Sequence, residues 1–191
     1  MNEAVIVEAV RTPFGRRGGW WADKRPDDLL AEVIQGLLAR AGLPGGQVDD
    51  VIAGCVSQAG EQGANIGRLS ALLAGLPETV PGVALNRMCG SSQQAVHAAA
   101  QAIAAGDMRY VVAGGVESMS RVPMGSDGGA WPVDPSSAFP TYFVPQGVSA
   151  DMIATKYGFS RDDVDAYSVE SHKRAAQSWA ERRFDRSVIA V

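Results

Sequence analysis

The sequence predicts an α/β fold: a mainly parallel, mixed sheet with helices on both faces, followed by part of an irregular loop domain. Three observations carry this. Short β-branched apolar runs alternate with longer segments of helical periodicity through about residue 120. Glycine and proline punctuate the junctions between them. From residue 121 the pattern gives way to a stretch dense in proline and glycine. The expected organisation is an α/β domain over 1–120 and a partial loop domain over 121–191.

The elements follow in order. "AVIVEAV", residues 4–10, reads as a buried strand halted by the Arg-Thr-Pro turn at 11–13. In 27–44, Leu29, Leu30, Val33, Ile34, Leu37 and Leu38 repeat at the spacing of one buried helical face, and Gly42 and Pro44 end the helix. "DDVIAGCV", 49–56, is a second strand candidate. A Gly-rich connection leads to a helix near 66–75, then to a third strand at 80–86. A helix over 90–105 is stopped by Gly106-Asp107, and 110–120 reads as a fourth strand.

The stretch 121–147 reads as an excursion that shapes a binding site, because Trp131, Phe139, Tyr142 and Phe143 are burial-prone. "VSADMIATKYG" suggests a helix. The following helix opens with a capping box, Ser160 and Asp163, and a face traced by Val164, Tyr167, Ala175 and Trp179. The final "RSVIAV" reads as the opening of a strand, so the chain is expected to be a fragment.

Composition narrows the function classes. With 46% hydrophobic and 20% charged residues among 191, the chain has a globular profile. A formal net charge of -4 without a basic block argues against nucleic-acid and anionic-membrane surfaces. No apolar run is long enough to cross a bilayer and no secretory leader is evident, which points to a cytoplasmic location. Cys55 and Cys89 are the only cysteines, and His97 and His172 the only histidines, so a disulfide scaffold, a CxxC zinc site or any protein-only metal site is not expected.

Cys89 stands out by position. It lies just past the third strand and directly ahead of a helix beginning Gly90, Ser91 and Ser92. There the helix dipole and unpaired N–H groups stabilise a thiolate, and the small residues admit a substrate carbonyl beside amides suited to an oxyanion. Residue type alone leaves two readings open, a nucleophile or a buried core thiol. Cys55, mid-strand, takes the core reading. His97 lies about 12 Å along the helix from Cys89, too far to pair with it, and is assigned a packing or supporting role. His172 reads as a solvated face. Glu117 and Asp127 are candidate proton-transfer groups that spacing does not single out.

Five blocks, "VEAVRTPFGRRGG", "CVSQAGEQGANIGRLSALLAGLP", "NRMCGSSQQAVHAAAQAIAAGD", "GGVESMSRVP" and "VPQGVSADMIATKYGFSRDDVDAYSVESHKRAA", together resemble the N-terminal half of a thiolase, in order along nearly the whole chain. The resemblance implies acyl transfer between CoA thioesters through an acyl-Cys89 intermediate, with the Cys89 backbone N–H in the oxyanion hole. Coenzyme A and acetyl-CoA enter as substrates and no cofactor is tightly bound. It also implies a homodimer or homotetramer for the full-length protein.

Members of that family hold a histidine and a second cysteine in Gly-His-Pro and Cys-x-Gly blocks, neither of which occurs here. The chain by itself is therefore expected to be inactive. Pro145, Gln146 and Gly147 occupy a substrate-binding position where many short-chain members carry His-Met before the glycine. The wording of the blocks leans toward degradative members. Competing readings are another acyl-CoA condensing enzyme or hydrolase, a non-catalytic CoA- or lipid-binding or interaction module, and a thiol redox sensor.

Overall fold

The computed structural model describes residues 2–191. The described residues divide into two compact units, one formed by 2–127 with 186–191 and the other by Gly128–Asp185.

The first unit is built on three parallel strands, β1 (Asp50–Gly54), β2 (Gly82–Leu85) and β3 (Val111–Gly115), in the order β2-β1-β3. Helices α1 (Pro26–Ala41), α2 (Ile66–Leu73) and α3 (Ser91–Ala105) cover them. The central strand sets the packing. Val51 and Ala53 of β1 face Leu30 and Ile34 of α1 and Ala71 of α2. Ile52, pointing the opposite way, meets Ala95 and Ala99 of α3. Alternation along one strand thus gives helices on both faces, as expected, and explains why β1 is apolar from Val51 onward.

Local chemistry accounts for the helix ends. α1 opens with Pro26 followed by Asp27 and Asp28, and closes on Gly42 in the left-handed region (φ 62°). α2 is capped by Asn65, whose side chain accepts the Arg68 N–H at 3.2 Å. Asp49 ties the start of β3 to β1 by accepting the Arg109 and Tyr110 N–H groups at 2.6 and 2.9 Å. Those donors hold its carboxyl below the usual carboxylate range.

Two points stand out, the first a correction. Residues 4–10 form no strand: Val5, Ile6 and Val7 are 66%, 80% and 72% exposed, and the segment joins no ladder. Only its end pairs, through a parallel bridge between Arg11 and Val188, with Arg11 N donating to the Ser187 carbonyl at 2.8 Å. A β-branched run favours extended backbone, but a strand exists only where a neighbour completes its hydrogen bonds. A groove of about 1450 Å³ is lined by this segment and by the outer edge of β3. Accordingly the sheet has three strands among the described residues, all parallel, with no antiparallel member. The second point concerns α3, whose Ala-rich sequence suits close packing on more than one side. It buries Ser91, Ala95 and Ala99 against the sheet and leaves Val96 41% exposed.

The second unit contains α4 (Pro135–Ala138), α5 (Gln146–Tyr157) and α6 (Arg161–Ala180). The capping box of α6 is present, with Ser160 and Asp163 bonded reciprocally. Its anticipated apolar face is not buried: α5 and α6 have no buried residue, and Tyr167 is 81% exposed. Trp131, Phe139 and Tyr142 are likewise exposed, contrary to their burial-prone reading, though Trp131 stacks against Phe143 at 5.0 Å. A helical stripe specifies which face seeks a partner, and this unit alone supplies too little apolar surface to cover it.

Candidate active site

All three strands run the same way, so their carboxyl ends share one edge of the sheet, the usual location of sites in open α/β sheets. The residues that follow them, Cys55–Ser57 after β1, Asn86–Cys89 after β2 and Val116–Ser118 after β3, assemble there.

Cys89 is exposed at this edge, one residue before the Gly90 N-cap of α3. The turn that presents it is tightly bonded. Arg87 N donates to Ser91 Oγ at 2.9 Å, and Ser91 Oγ donates to the Met88 carbonyl at 2.6 Å. Gly90 N and Ser91 N return to the carbonyls of Arg87 and Met88 at 3.1 and 3.0 Å. The Cys89 N–H is not among these donors. Met88 adopts φ 48°, a left-handed conformation that costs a side-chain-bearing residue about 1–2 kcal/mol. The surrounding bonds hold that strain at the residue immediately before the exposed thiol.

Glycines let α3 approach this edge. A Cβ on Gly54 would lie 2.7 Å from Ser92 Cα and overlap the Ser91 and Ser92 backbone, while one on Gly115 would strike Ser92 Oγ and the Gly54 carbonyl. The cysteine turn is therefore seated directly on the ends of β1 and β3.

Beneath it lies a polar network that residue type alone did not reveal. The Glu117 carboxylate accepts from Val56 N at 2.8 Å, Ser57 N at 3.3 Å and Gln62 Nε2 at 2.7 Å. Gln62 is fully buried, and its amide oxygen accepts the Ser118 N–H at 2.6 Å. Asn86 Nδ2 donates to the Val56 carbonyl at 3.0 Å, while Asn86 Oδ1 accepts the Met88 N–H at 2.8 Å. The only signal for these residues in the sequence is a run of amides and carboxylates beside strand ends, a pattern shared with ordinary loops. Around this network, Arg121 pairs with Glu61, and Arg25 with the buried Asp27, whose carboxyl it holds below the usual range.

The two thiols differ sharply. Cys55 is 1% exposed, just beyond β1, and burial together with the nearby Glu117 and Asp127 carboxylates pushes its thiol up to about 12. Such a thiol stays protonated and inert. His97 projects from α3 to solvent and so does not pack as expected; His172 is exposed on α6. Pro145 caps α5, and Gln146 and Gly147 are its first residues; all three are exposed and belong to the second unit. Among the described residues no group of three or more His, Cys, Asp or Glu is placed to hold a metal ion, and no helix is long and apolar enough to cross a membrane.

An exposed cysteine thus stands at a helix start, on the carboxyl edge of a parallel sheet. The family model for Thiolase, N-terminal domain matches residues 4–191. The chain belongs to the thiolase family. Among its relatives are a steroid 3-ketoacyl-CoA thiolase of Mycobacterium tuberculosis and a 3-ketoacyl-CoA thiolase of Bacillus subtilis, each 43% identical over all of this chain and covered to 50% and 49% of its own length. A beta-ketoadipyl-CoA thiolase of Acinetobacter baylyi is 42% identical, with 52% of its length covered. The chain thus spans about half the length of the curated relatives it matches.

Proposed function

We propose that the protein transfers acyl groups between CoA thioesters, with Cys89 carrying the acyl group. The observation that supports this reading most directly is the exposed Cys89 thiol on a strained turn at the start of α3, in a chain that matches the thiolase N-terminal domain over nearly all its residues.

In the cleavage direction the Cys89 thiolate attacks the 3-keto carbonyl carbon of an acyl-CoA. The bond between C2 and C3 then breaks, acetyl-CoA leaves as a carbanion that takes up a proton, and the remaining acyl group stays on Sγ. A CoA thiol attacks that thioester, transfers the acyl group to its own sulfur and returns the Cys89 thiolate. In synthesis Cys89 displaces CoA from acetyl-CoA, and an acetyl-CoA carbanion accepts the acetyl group. The Cys89 N–H, not used by the turn, is available to the oxyanion of each tetrahedral intermediate.

Coenzyme A and acyl-CoA act in this scheme as substrates, with no resident cofactor. Pro145, Gln146 and Gly147 contribute to the substrate-binding surface. The 191-residue chain alone does not turn over, because it contains neither a Gly-His-Pro nor a Cys-x-Gly block. The full-length protein is a cytoplasmic homodimer or homotetramer, a degradative enzyme acting in lipid breakdown. Thiolysis of acetoacetyl-CoA by the purified chain at a rate abolished by Cys89→Ala would refute the requirement for further residues. Transfer of acetyl from acetyl-CoA to another side chain, with Cys89 unmodified, would refute the assignment of the nucleophile.

A further inference from the structure

The turn that carries Cys89 is connected to all three strand ends by one continuous run of hydrogen bonds. Asn86 follows β2 directly, Val56 lies two residues past β1, and Glu117 two residues past β3. Because the sheet order is β2-β1-β3, the three stand side by side across the carboxyl edge. Glu117 takes the Val56 and Ser57 amides, Val56 offers its carbonyl to Asn86 Nδ2, and Asn86 Oδ1 takes the amide of Met88. Met88 is the left-handed residue immediately before Cys89.

We infer that Asn86 and Glu117 are positioning residues for Cys89. The proposal rests on reading Cys89 as the nucleophile. Neither residue reaches the thiol: Asn86 acts through the Met88 amide, and Glu117 acts through the backbone of Val56. The left-handed Met88 backbone relaxes unless its N–H is held, and relaxation swings both the Cys89 sulfur and its N–H. The carboxylate of Glu117 lies at an exposed residue yet gathers three N–H donors, one from the fully buried Gln62. That anchoring fixes the Val56 carbonyl, the one point from which Asn86 is held on its donor side. The links act in series, so losing either end frees the same turn.

The test is the second-order rate of alkylation of Cys89 by iodoacetamide at neutral pH on the 191-residue chain, with the modified residue assigned by peptide mass spectrometry. Cys55, buried, serves as an internal gauge of the fold. Asn86→Ala and Glu117→Ala each slow Cys89 by about tenfold, less than the roughly hundredfold that a misplacement of about 1 Å costs a reacting pair. Glu117→Gln, which keeps one acceptor oxygen, falls between. The double alanine variant slows no further than the stronger single one, the signature of a shared path. Cys55 stays unmodified throughout.

Unchanged Cys89 rates in the single variants, or losses that multiply in the double, overturn the positioning. Should Cys55 open in the alanine variants, Glu117→Gln and Asn86→Ser take their place, and slowing that appears only together with Cys55 modification in all of them overturns it as well. A wild-type Cys89 no faster than a cysteine in a short peptide overturns the nucleophile reading, and this proposal with it.

Discussion

Replacing Gly54 by alanine probes how the site is built. Gly54 ends β1, and the added Cβ meets the backbone of Ser91 and Ser92, with Ser92 Cα at 2.7 Å. Backbone is the least yielding neighbour, because relief requires the start of α3 to rise off the sheet, taking the cysteine turn with it. Overpacking of this kind costs about 1–3 kcal/mol, and the upper part of that range applies where no side chain can rotate away. Gly114, on β3, provides the control. Its added Cβ meets nothing within 4 Å, so Gly114→Ala is expected within about 0.5 kcal/mol of wild type, or slightly more stable through a less flexible unfolded chain. Urea denaturation followed by circular dichroism gives both free energies, and thiol titration follows Cys89. The account requires Gly54→Ala to lose about 2–3 kcal/mol and to alter Cys89 reactivity while Gly114→Ala does neither. Equal stability of the two variants would refute the close seating of α3 on β1.

Other predictions follow from the same structure. In the native chain at pH 8 a thiol reagent modifies Cys89 rapidly and Cys55 only at the rate of unfolding, because burial and two carboxylates push the Cys55 thiol up to about 12; two thiols of equal rate would contradict this. Asp49 has a folded carboxyl depressed by two backbone donors, so the stability it confers is complete above the ordinary carboxylate value of about 4 and is lost as pH falls through the depressed value. Asp49→Asn is expected to flatten the acid side of the stability profile by about 1 kcal/mol or less, since the group is exposed and screened, and an unchanged profile would refute the link. Ser160→Ala removes the α6 capping box and is expected to cost that helix about 1 kcal/mol, read as faster amide exchange in its first turn.

Much of the fold was legible where local pattern and tertiary partner agree. Of the α1 stripe, Leu30 and Ile34 do pack against the sheet and Leu29 is buried, and Gly42 and Gly106 do end their helices in the left-handed region. Reading failed where a pattern names a preference without naming its partner. Residues 4–10 have every local feature of a strand and pair with nothing, and the apolar residues of α6 lie in the open. Of the candidate site, the position of Cys89 ahead of a helix was legible in the sequence, whereas the hydrogen-bonded residues around it come together only once the topology brings β1, β2 and β3 to one edge. Asn86, Gln62 and Glu117 are separated by up to 55 residues in the chain and joined by bonds of 3.0 Å or less. No periodicity encodes that meeting.

The most direct measurement is peptide mass spectrometry of the chain after incubation with acetyl-CoA, compared with the Cys89→Ala variant. The account predicts one acetyl group, on Cys89, formed with release of one CoA and absent from the variant, with Cys55 unmodified. Acetylation that persists in Cys89→Ala, or an acetyl group carried by another side chain of the wild-type chain while Cys89 stays unmodified, would contradict the assignment of Cys89 as the acyl carrier.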